Sequence, residues 1–212
     1  MQERIKFDNR ADWLAGRMAQ GIGASEASAI AGCGFISKID LWKLKTGRTK
    51  PKDLSDNEAA REGNRMEGPI REFYKAMHPE LTIEHHPYDI IFQKGVPWLF
   101  CTLDGEIVTE NTKERGILEI KNVTPSGKAG WEEWNGRIPD KYYYQILHQM
   151  LATGYEFAVL VAALHSSDGS ITIREYEFTR GDCEQDIFFY RDMATDFMKD
   201  VISDQMPPVP IM

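Results

Sequence analysis

Apolar and polar positions alternate along two stretches, Trp98–Val108 and Arg115–Val123, on either side of the polar segment Thr109–Glu114. Alternation with a period of two, interrupted by a polar turn, predicts a strand, a turn and a strand. A hairpin folded about Asn111 and Thr112 sets Asp104 opposite Glu119, and facing residues of an antiparallel pair lie about 5 Å apart at Cβ. Lys121 follows Glu119 by two positions, so it projects from the same face. Ile117, Leu118, Ile120 and Val108 make the hairpin apolar on both sides, the pattern of a strand covered on both faces. Acids in such a strand are costly to bury unless something compensates their charge. Two readings follow from the hairpin alone: a solvated charged face, or a divalent-metal site made of two carboxylates with a lysine beside it.

Helical periodicity fills most of the rest. Residues 1–20 hold a short amphipathic piece, with Trp13, Leu14 and Met18 apolar and Arg17 polar. Gly21 and Gly23 lead into a short helix running to Gly32, for which Ser25 is a natural N-cap. Free N–H groups at such a glycine-rich start suit a phosphate, although most such turns are only caps. Ser37 is placed to cap a helix over 38–46, apolar at Leu41, Trp42 and Leu44 and closed by Gly47. Ser55-x-x-Glu58 forms a capping box for a long helix. Its apolar stripe runs Ala59, Gly63, Met66, Ile70, Phe73, Met77. Glu67 lies at the margin of that stripe, either a surface residue or a functional one, and Pro69 is expected to kink or restart the helix.

A strand over 88–93 precedes the central hairpin, and a loop or broken helix over 124–137 with Trp131 and Trp134 follows it. A helix then runs from Asp140 to Gly154, with Tyr142, Gln145 and Gln149 flanking a buried stripe of Tyr143, Ile146 and Met150. Glutamines there serve as polar edge residues, orient a water or touch a nucleotide. A second hairpin, 157–164 and 170–178, turns at Asp168-Gly169, and Asp182 caps a last long helix. This order predicts an α/β sandwich, a mixed central sheet flanked by helices. It forms a single domain over 1–212, with an N-terminal helical segment (1–54), a core (55–204) and a loose proline-rich tail (205–212).

Composition narrows the class. The chain has 212 residues, 42% apolar and 27% charged, as one ordinary globular domain does. No apolar run approaches the roughly 20 residues that span a bilayer. No signal peptide is visible either, so a cytoplasmic protein with no membrane partner is expected. Cys33, Cys101 and Cys183 are scattered and lack nearby histidines, which argues against a disulfide framework, a zinc site or an iron–sulfur cluster. A net charge of −8 argues against nucleic acid when averaged over the chain. Locally, 38–52 carries six basic residues against Asp40 alone, either a phosphate grip or a solvated helix.

In chain order, Glu67 on a helix, Asp104 on a strand, Glu119-x-Lys121 on the next strand and a glutamine-bearing helix resemble the PD-(D/E)XK nuclease core. More narrowly, the chain resembles the phage lambda exonuclease family, the YqaJ-type viral recombinases. The matching pieces are Arg17 before GIGASE (21–26), DLWKLKTGR (40–48), EGNRMEGPIREFY (62–74), CTLDGE (101–106), LEIK (118–121) and YYYQILHQM (142–150). Leu103 stands where a proline usually precedes the first catalytic aspartate.

The resemblance implies a restriction-endonuclease-like core and a Mg²⁺-dependent deoxyribonuclease in which Mn²⁺ substitutes. Such an enzyme digests double-stranded DNA from a 5′ end, releases mononucleotides and leaves a 3′ single-stranded tail. It works as a homotrimeric ring with a single-strand annealing protein, in the cytoplasm of a bacterial host of phage or prophage. Asp104, Glu119, Glu67 and the backbone carbonyl of Ile120 match its metal ligands. Lys121 matches the residue that orients or deprotonates the attacking water, Gln145 the group that holds it, and Tyr142 and Gln149 supporting positions. Arg17 and Ser25 match positions that bind the terminal 5′ phosphate, and Lys43, Lys45 and Arg48 would line the DNA track. The alternatives are an endonuclease on the same fold, which cuts closed circles, and a DNA-end-binding scaffold that does not hydrolyse.

Overall fold

A computed structural model of the chain describes residues 2–51 and 57–208. The capping-box serine, Ser55, lies outside them, as do the side chains of Met18 and Ala59. Two sheets share the core. The larger has the order β3-β6-β7-β8-β9: β3 (Leu81–Glu84), β6 (Gly105–Thr109), β7 (Arg115–Val123), β8 (Phe157–His165) and β9 (Ile171–Thr179). The smaller has the order β1-β4-β5-β2: β1 (Gln2–Lys6), β4 (Asp89–Gln93), β5 (Leu99–Cys101) and β2 (Ile22–Gly23). β7 and β8 are parallel, while every other pairing in the larger sheet is antiparallel. Parallel neighbours need a long crossover. Here it contains α5 (Gly127–Glu132) and α6 (Asp140–Thr153), the latter closed by Gly154 in the left-handed conformation.

The alternation over Trp98–Val108 is therefore not one strand. β5 ends at Cys101 in the smaller sheet, and after Thr102–Asp104 the chain enters the larger sheet as β6. The pattern looks continuous because both parts bury apolar side chains, Leu99, Cys101 and Leu103 in one core cluster and Ile107 of β6 in another. β1 also escaped the sequence pattern, since RIK alternates over too few residues to stand out.

β7 is covered on both faces, as its composition predicted. Ile117 packs with α6 residues Ile146, Leu147 and Met150. Leu118 and Ile120 face Ile70 and Tyr74 of α4 (Glu58–Met77). That helix runs through Pro69 without restarting; the proline is exposed, so water can take up the carbonyl it orphans. Its buried face is Met66, Ile70 and Tyr74, whereas Phe73 and Met77 are exposed.

Ser37 caps α3 (Lys38–Lys45) by accepting the Asp40 N–H. Ser25 is not a cap: a 3-10 turn, Ala24–Glu26, follows Gly23, whose N–H Glu26 accepts, before α2 (Ala27–Ile30). Asp182 is not a cap either. It exchanges hydrogen bonds with Thr179, and α7 (Glu184–Ile202) starts after Cys183. Gly21 is obligatory, because its φ is +122° and a Cβ there would come within 2.5 Å of the Trp98 carbonyl.

Arg4 pins the two sheets together, pairing with Asp89 at 2.8 Å and with Glu106 of β6 at 2.5 Å. Glu106, 2% exposed, also accepts from Arg115 at 2.9 Å and from the Tyr155 hydroxyl at 2.6 Å. Burial pushes its carboxyl up, but Tyr155 and Arg4 together hold it below the usual range. Glu106→Gln leaves two guanidinium groups short of a partner and should cost about 3 kcal/mol of stability in urea unfolding. A loss within error would mean that the network is not what joins the sheets.

Within the core, His148 donates from Nε2 to the Phe100 carbonyl at 2.8 Å, so its Nδ1 accepts from Tyr190 at 2.6 Å. Burial holds this imidazole neutral, with its pKa down at about 4. The unfolded chain takes up a proton below about pH 6.5 and the native core does not until about pH 4, so this stabilisation is complete above pH 6.5 and drains away on acidification. Between pH 7 and pH 5 unfolding should become easier by about 2 kcal/mol, and His148→Gln should flatten that slope in paired urea titrations.

Candidate active site

Side chains converge where β7 passes α6. Glu119 is 2% exposed and the Lys121 side chain 18%. A buried carboxylate needs donors, and α6 supplies them from one face, four residues apart. Lys121 Nζ donates to Glu119 Oε1 at 2.5 Å and to Gln145 Oε1 at 3.0 Å. Gln145 Nε2 donates to the same Glu119 oxygen at 2.6 Å, and Gln149 Nε2 to Oε2 at 2.5 Å. Gln149 Oε1 is buried without a hydrogen-bond partner among the described residues. Tyr142 lies a turn before Gln145, its ring centre 5.0 Å from Lys121 Nζ.

Asp104 sits just beyond the last ladder pair of β6 and β7, Gly105 with Leu118, in the register that places it opposite Glu119. Its Oδ2 accepts the Ile120 N–H at 2.8 Å. The N–H and C=O of a strand residue leave by the same edge, so the Ile120 carbonyl also emerges on the Asp104 side. Two donors hold the carbonyl of Asp104 itself: Arg71 at 2.5 Å and His85 at 3.1 Å. Arg71 also pairs with Glu67 at 3.4 Å, tying the acid of α4 to the acid of the hairpin. The sequence reading missed both. Arg71 follows Glu67 by four on a helix, a readable signal; His85, in the loop after β3, gave none.

Burial, then repulsion from Glu119 and Glu67, pushes Asp104 well above the usual carboxylate range. Burial and Glu119 push Glu67 up as well, against the pull of Arg71. Burial works against the Lys121 ammonium, but Glu119 and Asp104 outweigh it and hold its pKa above the ordinary value. Three crowded carboxylates and a spare amide oxygen are, by kind, donors for a hard divalent cation. By position they are not yet a ligand group: no three acidic, histidine or cysteine side chains among the described residues stand ready to hold a metal. Both oxygens of Glu119 are instead engaged by Lys121 and the two glutamines.

Arg17, on α1 (Arg10–Gln20), is partly buried, lies 4.6 Å from the Trp13 ring centre, and feels the charges of Glu26 and Asp104. Burial lowers its pKa, with those two acids opposing. Ser25 is exposed on the 3-10 turn. Of the basic strip, Lys45 pairs with Glu26 at 2.7 Å and also donates to the Gly21 carbonyl. Arg48 makes a two-pronged pair with Asp204 at 2.6 and 2.9 Å and lies over Trp42. Lys43 is 43% exposed, with Asp40 at 3.7 Å. Trp134 is core, packed on Tyr142 and Tyr176, and Trp131 is half-buried.

Residues 12–156 match the YqaJ-like viral recombinase domain. Among solved structures, an alkaline exonuclease (LHK-Exo) from Laribacter hongkongensis is similar at a TM-score of 0.62 and 18% identity, over 92% of this chain and 94% of that one. The same enzyme in complex with dAMP is similar at 17% identity, with the same TM-score and coverage. A phage related exonuclease from Haemophilus somnus 129PT gives 0.51 at 14% identity, over 94% and 91%. The likeness is one of fold. No curated protein matches the chain, and no described helix is long and apolar enough to cross a membrane.

Proposed function

We propose that this chain, which belongs to the YqaJ-like viral recombinase family, is a divalent-metal-dependent deoxyribonuclease that degrades double-stranded DNA from a 5′ end. It releases mononucleotides and leaves a 3′ single-stranded tail for an annealing protein, and it works as a homotrimer in the cytoplasm of a phage host. The observation that carries the reading is the convergence of Asp104, Glu119 and Glu67 with Lys121 at the end of β7. The dAMP held by LHK-Exo, a mononucleotide, supports the product class.

Asp104, Glu119, Glu67 and the Ile120 carbonyl would hold Mg²⁺ or Mn²⁺. When bound, the metal activates water and neutralises charge at the scissile phosphate. Holding the metal would need Lys121 to leave Glu119, and the ammonium would then orient the attacking water and stabilise charge on the phosphate, with Gln145 keeping it in place. Gln149 fixes the far oxygen of Glu119, Tyr142 limits where Lys121 can move, and Arg71 and His85 keep Asp104 aimed. Arg17 supplies a guanidinium for the terminal 5′ phosphate, with Ser25 near it. Lys43 is the most available cation for the duplex track; Lys45 and Arg48 join it only by leaving their acids.

The test is digestion of linear duplex with a 5′-phosphate or a 5′-hydroxyl, beside a closed circle, with Arg17→Ala as the comparison. Mononucleotides from the phosphorylated linear substrate, with that preference lost in Arg17→Ala, support the reading. A cut circle replaces it with an endonuclease, and tight end binding without hydrolysis in either metal replaces it with a scaffold.

A further inference from the structure

The most exposed large apolar side chain among those described is Phe35, 85% exposed in the loop before α3. Aromatic rings are normally buried, and this one has a cation for company: Lys141 Nζ lies 4.5 Å from its ring centre. The same ammonium is 5.1 Å from the ring of Tyr142, whose second cationic neighbour is Lys121 at 5.0 Å. Cations and aromatic rings thus alternate outward from the reaction centre in the order Lys121, Tyr142, Lys141, Phe35. Beside Lys141 lies an open cleft of about 330 Å³ that Arg137 also lines, within the size range of small-ligand sites. Glu133 and Asp140 share the cleft, yet neither Arg137 nor Lys141 makes an ion pair among the described residues.

We propose that Phe35, Lys141 and Arg137 form a binding track for single-stranded DNA, with Phe35 stacking on an unpaired base and the two cations taking adjacent phosphates. The inference rests on the nuclease reading, because it gives the track a strand to hold as the duplex opens. Aromatic faces accept any base, and interleaved cations follow the backbone, which is how sequence-independent single-strand binders work. The track is also compatible with the net charge of −8, because attraction can be local on an acidic chain.

The experiment measures anisotropy of a short fluorescein-labelled oligothymidine on the full chain, with metal chelated by EDTA so that nothing is digested. Phe35→Ala should weaken binding about 5- to 150-fold, Phe35→Leu should weaken it as much, and Phe35→Trp should keep or improve it. Thermal melting should not move, since the side chain is exposed. Full affinity in Phe35→Ala, or in Phe35→Leu, overturns the stacking role. A change of sedimenting mass in Phe35→Ala without loss of oligothymidine binding overturns it in favour of a contact between copies. A wild-type chain that digests linear duplex but ignores oligothymidine overturns this inference and leaves the nuclease reading intact; one that does neither overturns both.

Discussion

Lys121→Met should cut hydrolysis by orders of magnitude and at the same time sharpen the response to metal. On the proposed nuclease reading the ammonium would supply positive charge where the phosphate gains negative charge, and loss of a donor of that kind lowers the turnover rate by roughly 10²- to 10³-fold. In the metal-free chain it is also the cation opposite buried Glu119. Removing one partner of such a pair destabilises by about 3 kcal/mol. Methionine keeps most of the side-chain volume, so the loss is electrostatic. Mg²⁺ then meets a carboxylate with no competing ammonium, and the rise in Tm per increment of Mg²⁺ should exceed that of wild type. Single-turnover nucleotide release and a Mg²⁺ melting series read the two effects separately. Wild-type turnover in the variant would remove Lys121 from the chemistry, whereas an unchanged melting series would mean that it does not compete for Glu119.

Asp104→Asn should go the other way in stability. Asp104 lies beside two other carboxylates; burial first, and then their repulsion, raises its proton affinity. An asparagine oxygen can still accept the Ile120 N–H, so the local fold survives while one of three like charges disappears. Without metal the variant should gain on the order of 1 kcal/mol, about 2–4 °C in Tm for a chain of this size. On the proposed reading the same change would remove a metal donor, so activity should fall to background and Mg²⁺ should no longer raise Tm. A site that is destabilising until its ion arrives is a common form of the trade between stability and function. An apo variant that melts lower than wild type would show that the carboxylates were not in conflict.

How much of this was legible beforehand depended on the kind of interaction. The hairpin register was, because a polar turn centred on Asn111 and Thr112 fixes which residues of the two strands face one another. It placed Asp104 by Glu119 as the structure does. Gln145 and Gln149 were legible because helix spacing puts them on one flank. The split of Trp98–Val108 between two sheets was not, since alternation reports which face a residue takes and is silent about its neighbouring strand. Tyr74 was misjudged against Phe73 because adjacent aromatics on a helix differ by only 100° and both fit a broad apolar stripe. His85 and the pairing of Arg4 with Glu106 depend on contacts between segments distant in the chain, which no local pattern contains. Lys45 and Arg48 show the converse failing: a basic run in one dimension was already neutralised in three, by Glu26 and Asp204.

The passage of one segment from the smaller sheet into the larger at Thr102–Asp104 bears on how the polypeptide can be cut and rejoined. Cys101 closes β5 and Gly105 opens β6, so new termini there would release Asp104 from both anchors at once. The tip of the β6–β7 hairpin is different: residues 110–114 are exposed and Lys113 already occupies a left-handed turn. A circular permutant opened at the tip, or an affinity peptide inserted into it, cuts none of the segments that carry Asp104, Lys121, Gln145 and Gln149 around Glu119. That tip is where the molecule can be reopened without disturbing its chemistry.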